Sequence, residues 1–243
     1  MIHRPPLTAI LWDFDGTLVD TRARNMNVNR RIIEEVTGRP WSDFEVMCSQ
    51  EVYDQAQRVS VNWREFYRTH FGLDDRATTS AGARWTPYQL EDPTPTPPLS
   101  GIPETLGAFD GLPLGVVSQN CSANIAATLS LHGIRESFRC IVGYEEVAEF
   151  QQKPAPDGLL LAMDTLNSFA PGTVIYVGDH ETDLKTVENT NHVLRERGMP
   201  VQVMCVAALY GVDGGPEAWM NRADFRAAEP DDVVTIARQI DLV

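Results

Sequence analysis

Two carboxylates one residue apart, Asp13 and Asp15, follow the short apolar run Ala9-Ile10-Leu11-Trp12. In an extended segment alternate residues point the same way, so both acids face one space while Phe14 can turn into the core. Two like charges held that close need a cation or a shared proton. A hard divalent metal with oxygen ligands meets the need, and Gly16-Thr17 allows a tight turn and supplies a hydroxyl beside it. For a lone Asp-Gly pair, an acidic surface turn would be the simpler reading.

The elements that must position these acids show in the periodicity. Brief, mostly aliphatic runs bounded by turn residues recur at Ala9–Trp12, Leu114–Val117, Cys140–Val142, Val174–Val177 and Val201–Val206, as buried strands do. Helical patterns separate the later ones. Ser122 is the expected cap of a helix carrying Ile125, Leu129 and His132 and stopped by Gly133. A second helix is expected over Pro156–Phe169, with Leu159, Leu160, Leu161, Met163 and Leu166. A third runs from near Thr182 to Gly198, and Pro230 followed by Asp231 and Asp232 opens a last one with Val233, Val234, Ile236, Ala237 and Ile240.

This alternation implies parallel strands with right-handed crossovers, a doubly wound α/β sheet. The first connection breaks it, since about a hundred residues separate Trp12 from Leu114. An inserted domain is expected there. Its stripes Ile32, Ile33, Val36, then Val46, Met47, Val52, Tyr53, then Trp63, Phe66, Tyr67, Phe71 are helical. The stretch Asp92-Pro93-Thr94-Pro95-Thr96-Pro97-Pro98 reads as a stiff, extended return.

Ligands of open parallel sheets bind beyond the carboxyl ends of the strands. The residues just past each expected strand are therefore informative: Asp13 and Asp15, then Ser118-Gln119-Asn120, then Lys153-Pro154 some ten residues past the third strand, then Gly178-Asp179-His180-Glu181-Thr182-Asp183. Singly these are ordinary turn and cap residues. Their joint order is not. Among twenty basic residues only Lys153 and Lys185 are lysines, and so strong a bias to arginine leaves lysine where a guanidinium will not serve.

Composition narrows the partners. A chain of 243 residues with 43% apolar content is ample for a buried core. A formal charge of −14 argues against a nucleic-acid surface and against anionic membranes. The run before Asp13 is too short for a signal-peptide core, and no stretch of 18 apolar residues occurs, so a cytoplasmic location is the expectation. Cys48, Cys121, Cys140 and Cys205 have no metal-ligand spacing and are expected to be small buried residues.

Four motifs in order, Asp13-Phe14-Asp15-Gly16-Thr17-Leu18, Val116-Val117-Ser118, Lys153-Pro154, and Val177-Gly178-Asp179 with Asp183, make the sequence resemble the haloacid dehalogenase-like superfamily, phosphoglycolate phosphatase-like branch. The resemblance spans Ile10 to Asp183 and continues loosely to about Gly211. It implies a Rossmann-like catalytic core of residues 1–20 and 97–243 with a helical cap of residues 21–96. It implies a Mg²⁺-dependent phosphatase for a small phosphorylated metabolite, working as a monomer or homodimer through an aspartyl-phosphate.

In that resemblance Asp13 is the nucleophile and Asp15 the acid that protonates the departing alcohol and then activates water, which requires Asp13 ionised while Asp15 carries a proton. Mg²⁺ would be held by Asp13, the backbone carbonyl of Asp15 and Asp179, with Asp183 an auxiliary metal partner and Glu181 a weaker one. Ser118 and the backbone N–H groups of Gln119 and Asn120 would hold a phosphoryl oxygen, and Lys153 would neutralise its charge. Arg22 and Arg24, at the start of the cap, could take a substrate carboxylate or distal phosphate. Such helix arginines are more usually a solvated face, as expected for Arg64, Arg68 and Lys185.

Some features depart from the family's commonest pattern. His180 stands where a small hydroxyl residue is frequent and reads as structural. Glu188-Asn189-Thr190-Asn191-His192-Val193 replaces an Ala/Gly-rich helix end. Among alternatives, a dehalogenase would not need Asp15, and a phosphonate hydrolase would need a cap lysine that residues 21–96 lack. A phosphosugar mutase shares the Asp13/Asp15 pair. A phospho-receiver signalling module shares the acceptor aspartate, hydroxyl, lysine and Mg²⁺ but needs about half this length.

Overall fold

A computed structural model describes residues 6–60, 62–211 and 217–241; the expected core ranges also cover residues 1–5, 212–216 and 242–243, which lie outside these. Strands β1 (Leu7–Trp12), β2 (Leu114–Val117), β3 (Cys140–Val142), β4 (Gly172–Gly178), β5 (Val201–Ala208) and β6 (Phe225–Ala227) form one sheet in the order β3-β2-β1-β4-β5-β6. Every neighbouring pair is parallel. The chain starts mid-sheet, walks out to β3, then returns to the opposite side of β1. That reversal leaves a crevice beyond the C-terminal ends of β1 and β4. The doubly wound sheet is thus the architecture the alternation implies.

The helices are α1 (Arg22–Thr37), α2 (Gln50–Val59), α3 (Trp63–Phe71), α4 (Asp75–Glu91), α5 (Ile102–Gly107), α6 (Ser122–Leu131), α7 (Asp157–Thr165), α8 (Glu181–Glu196) and α9 (Asp231–Asp241). Both sheet faces are covered, which is why the strands read as unbroken apolar runs. Ile10 and Trp12 of β1 enter the core with residues of α5, α6 and α9. Ala9 and Leu11 enter the opposite core with residues of α7 and α8.

Several boundaries differ from expectation for identifiable reasons. Cys121, not Ser122, caps α6: its Sγ accepts from the Asn124 N–H at 3.3 Å, while the Ser122 amide and hydroxyl both donate to Glu145 at 2.7 Å. The helix expected over residues 156–169 stops at Thr165, and Asn167 takes a positive φ of 54°. The stripe Val46–Tyr53 is broken where Ser49 caps α2, leaving Val52 exposed. Cys48 is exposed, unlike the other three cysteines. Arg24 is buried, its Nε donating to the Thr94 carbonyl at 2.9 Å, and so is not part of a solvated face.

The chain divides into two compact units, one running to Asp20 and resuming at Pro97, the other Thr21–Thr96. The second has its own core, in which Ile32, Ile33, Met47, Tyr53, Phe66, Tyr67 and Phe71 are buried. Phe66 sits edge-on to Tyr53 and Phe71, with ring centroids 5.7 and 5.4 Å away, an arrangement suited to aromatic quadrupoles. Among the described residues no helix is long and apolar enough to cross a membrane.

The unusual end of α8 has a structural use. β6 pairs only with Val206–Ala208, so the outward backbone groups of Val203 have no strand beside them. Asn191 takes the place of one, accepting from the Val203 N–H at 2.8 Å and donating to its carbonyl at 2.7 Å. In Asn191→Ala two buried backbone groups lose their partners, and the unfolding free energy should fall by about 1–3 kcal/mol in urea titrations; an unchanged midpoint would contradict this role.

Candidate active site

The acids reach the sheet crevice because β1 and β4 run in register, and the Asp13 N–H extends that pairing by donating to the Val177 carbonyl at 2.8 Å. The chain then turns sharply. Gly16 adopts φ 72°, and a side chain on it would lie 2.4 Å from an Asp179 oxygen. Next to it the Thr17 hydroxyl donates to Asp179 at 3.1 Å. Gly178 is equally confined, since a Cβ there would stand 2.3 Å from Asp183. Both glycines leave room for carboxylates.

Lys153 joins the acids. Its side chain is 6% exposed, and Nζ donates to Asp13 Oδ1 and to Asp183 Oδ1, each at 2.8 Å. The ammonium also lies 5.0 Å from the Tyr176 ring centroid. The Tyr176 hydroxyl stands 2.8 Å from the Val117 carbonyl and 3.1 Å from Asp183. Asp183 Oδ2 accepts from the His180 N–H at 3.1 Å, so both Asp183 oxygens are engaged.

Asp15 is oriented from the end of β2. Asn120 Nδ2 lies 3.1 Å from each Asp15 carboxylate oxygen, and Ser118 Oγ lies 3.5 Å from Oδ2. The Asn120 side-chain Oδ1 accepts from the Cys121 N–H and from Asn124 Nδ2. This locks the side chain at the start of α6. Gln119 is exposed, donating to the Lys153 carbonyl at 3.1 Å. Arg22 belongs to the other unit, as the first residue of α1.

His180 caps α8, its Nδ1 accepting from the Thr182 N–H at 3.2 Å. Lys185 pairs with Glu181 on the outer face of that helix, as a surface lysine would. Sequence reasoning did not single out Tyr176, although a phenol in an otherwise aliphatic buried strand is a signal. It also missed the loop Leu209–Gly211 after β5, where a Cβ on Gly211 would lie 1.7 Å from the Gly16 carbonyl oxygen.

Three carboxylates and one ammonium leave negative charge uncompensated. Burial raises Asp13, the charges of Asp183 and Asp15 add to it, and Lys153 opposes them, for a value of about 7. Burial and the charges of Asp13 and Asp183 hold Asp179 well above the usual carboxylate range, against the Thr17 hydrogen bond. Burial disfavours the Lys153 charge, but Asp13 and Asp183 outweigh it and keep the ammonium protonated. Carboxylate oxygens of Asp13, Asp179 and Asp183 lie within 4.8 Å of one another. Oxygen donors alone, crowded and short of positive charge, fit a hard divalent cation such as Mg²⁺.

A family model described as haloacid dehalogenase-like hydrolase matches residues 10–193. Over 193 residues the chain is 31% identical to an N-acetylmuramic acid 6-phosphate phosphatase of Pseudomonas aeruginosa, covering 77% of this chain and 79% of that one. It is 33% identical over 89 residues to a phosphoglycolate phosphatase of Escherichia coli, covering 36% and 34%; the match thus spans about a third of the length of that relative. A haloacid dehalogenase-like hydrolase from Streptococcus pneumoniae superposes with a TM-score of 0.66 at 20% identity, over 95% and 98% of the two chains, a likeness of fold.

The charge imbalance has a measurable consequence. Asp13 sits above its ordinary value of 3.8, so the stability it gives the metal-free fold is present below about pH 4 and is lost as pH rises through about 7. In chelator-treated protein, Asp13→Asn should exceed the wild type in stability at about pH 8, with the advantage vanishing near pH 4. A variant less stable than wild type at the higher pH would contradict the assignment.

Proposed function

The chain belongs to the haloacid dehalogenase-like hydrolases, and we propose that within this family it is a Mg²⁺-dependent phosphatase that hydrolyses a small organic phosphate monoester through an aspartyl-phosphate. One observation carries the reading: Lys153 Nζ stands 2.8 Å from both Asp13 and Asp183, in the same cluster as Asp179. On this reading residues 1–20 and 97–243 are the catalytic core and residues 21–96 the cap.

Asp13, the nucleophile, attacks phosphorus with its carboxylate oxygen, forming an acyl phosphate as the bond to the alcohol oxygen breaks. Lys153 favours the ionised nucleophile and, with the Ser118 hydroxyl and the amide N–H of Gln119, neutralises charge on the phosphoryl oxygens. Asp15 gives its proton to the leaving oxygen, then takes one from the water that attacks the acyl phosphate and releases inorganic phosphate. The grip of Asn120 on both Asp15 oxygens supports this role, because it aims the acid without supplying a charge. Asp13, the Asp15 carbonyl and Asp179 would hold Mg²⁺, with Asp183 as auxiliary partner, and the ion when bound supplies charge neutralisation for the transferring group.

The two named relatives suggest the substrate class, a phosphorylated small acid or sugar acid of the phosphoglycolate kind. Arg22 is the insert's candidate for the substrate's carboxylate or distal phosphate. Turnover of para-nitrophenyl phosphate should require Mg²⁺ and fall by roughly a thousandfold or more in Asp13→Asn. Metal-independent turnover, or full activity in that variant, would contradict the reading. Phosphate release from a panel that includes phosphoglycolate and sugar-acid phosphates then identifies the preferred class.

A further inference from the structure

A buried side chain that none of the four sequence motifs contains reaches Asp15 through a single intermediary. Asn124, at the third position of α6 and 2% exposed, donates from Nδ2 to Asn120 Oδ1 at 3.1 Å. The Cys121 N–H donates to the same oxygen at 2.8 Å. A backbone N–H can only donate, so the Asn120 atom facing it must be the oxygen, and the amide nitrogen faces the other way. That nitrogen meets Asp15, 3.1 Å from each carboxylate oxygen. The Asn120 backbone is held as well, its carbonyl accepting from the Tyr144 N–H at 3.1 Å.

The direction of that amide decides what it does to the proton of Asp15. As held, Asn120 offers donors, which meet the lone pairs of the carboxyl group and do not compete for its proton. Turned over, it would offer a carbonyl oxygen, which would take the Asp15 O–H into a hydrogen bond of its own and keep it from the departing alcohol. We propose that Asn124 is a positioning residue for proton delivery: by holding the Asn120 nitrogen toward Asp15, it leaves the acid's proton free for the leaving oxygen as the phosphorus–oxygen bond breaks. The inference rests on the role given to Asp15 under the proposed function. Of the two donors that fix the amide, Asn124 is the one a substitution can remove, since the other is backbone. A well-placed general acid contributes about 10²–10⁴-fold to a rate, and an error of aim forfeits part of that.

The test compares release of phenol from phenyl phosphate with release of para-nitrophenol from para-nitrophenyl phosphate, in single turnovers with Mg²⁺ and enzyme in excess. Wild type, Asn124→Ala, Asn124→Asp and Asp15→Asn are measured. Single turnovers read only the step in which the alcohol leaves, so the later hydrolysis of the acyl phosphate does not enter. Phenolate is the more basic leaving group and depends more on the acid. Asn124→Ala, and Asn124→Asp, which keeps the shape but ends in carboxylate oxygens that cannot donate, should each lose about tenfold more rate on phenyl phosphate than on para-nitrophenyl phosphate. Both substrates meet the same preparation, so any loss of folded protein cancels from that ratio, and either variant alone suffices. Equal losses on the two substrates in a folded Asn124 variant, while Asp15→Asn is selectively impaired on phenyl phosphate, would overturn the proposal and leave the proposed function standing. An Asp15→Asn variant without that selectivity would overturn both.

Discussion

The structure turns on one buried ammonium shared by two carboxylates that are far apart in sequence. Lys153 meets Asp13 and Asp183 at 2.8 Å each, with the Lys153 and Asp183 side chains 6% and 2% exposed. Charges so enclosed are tolerated only when paired, and removing the ammonium, which would leave both carboxylates without it, costs about 3–5 kcal/mol. The pairing therefore constrains the chain around it. β1 and β4 must be neighbours, Gly178 must lack a side chain, and the loop after β3 must return its lysine to the crevice. Tyr176 completes the enclosure by lying under the ammonium and beside Asp183.

That constraint also gives the two acids of the first loop different surroundings. Asp13 faces Lys153 and the other carboxylates, so burial and like charge dominate its titration. Asp15 is met by Ser118 and Asn120 at the end of β2. Two residues apart in sequence, they meet different partners because β1 lies between β2 and β4.

Much of this was legible before any coordinates. Short aliphatic runs mark β1 to β5 because both sheet faces are covered, and a single pattern of charged and hydroxyl residues follows four of them. The surviving lysine at 153 pointed to the position where a compact cation was needed. What escaped notice did so for physical reasons. β6 is three residues, Phe225-Arg226-Ala227, too short to show a period. α4 contains Pro87 and mostly small or polar residues, so its periodicity is faint. Cys121 outcompetes Ser122 as a cap because Glu145, from a distant loop, claims the serine. Asn191 acts through a tertiary neighbour, Val203, that no local window contains.

Whether Asp13 becomes covalently phosphorylated is the most direct question for this account. Protein quenched during turnover of a phosphate monoester with Mg²⁺ and reduced with borohydride, which attacks acyl phosphates, should yield homoserine at position 13 in peptide mass spectrometry, and no such product when Lys153 is replaced by methionine. An unmodified Asp13 in protein that is releasing phosphate, or reduction at another carboxylate instead, would contradict it.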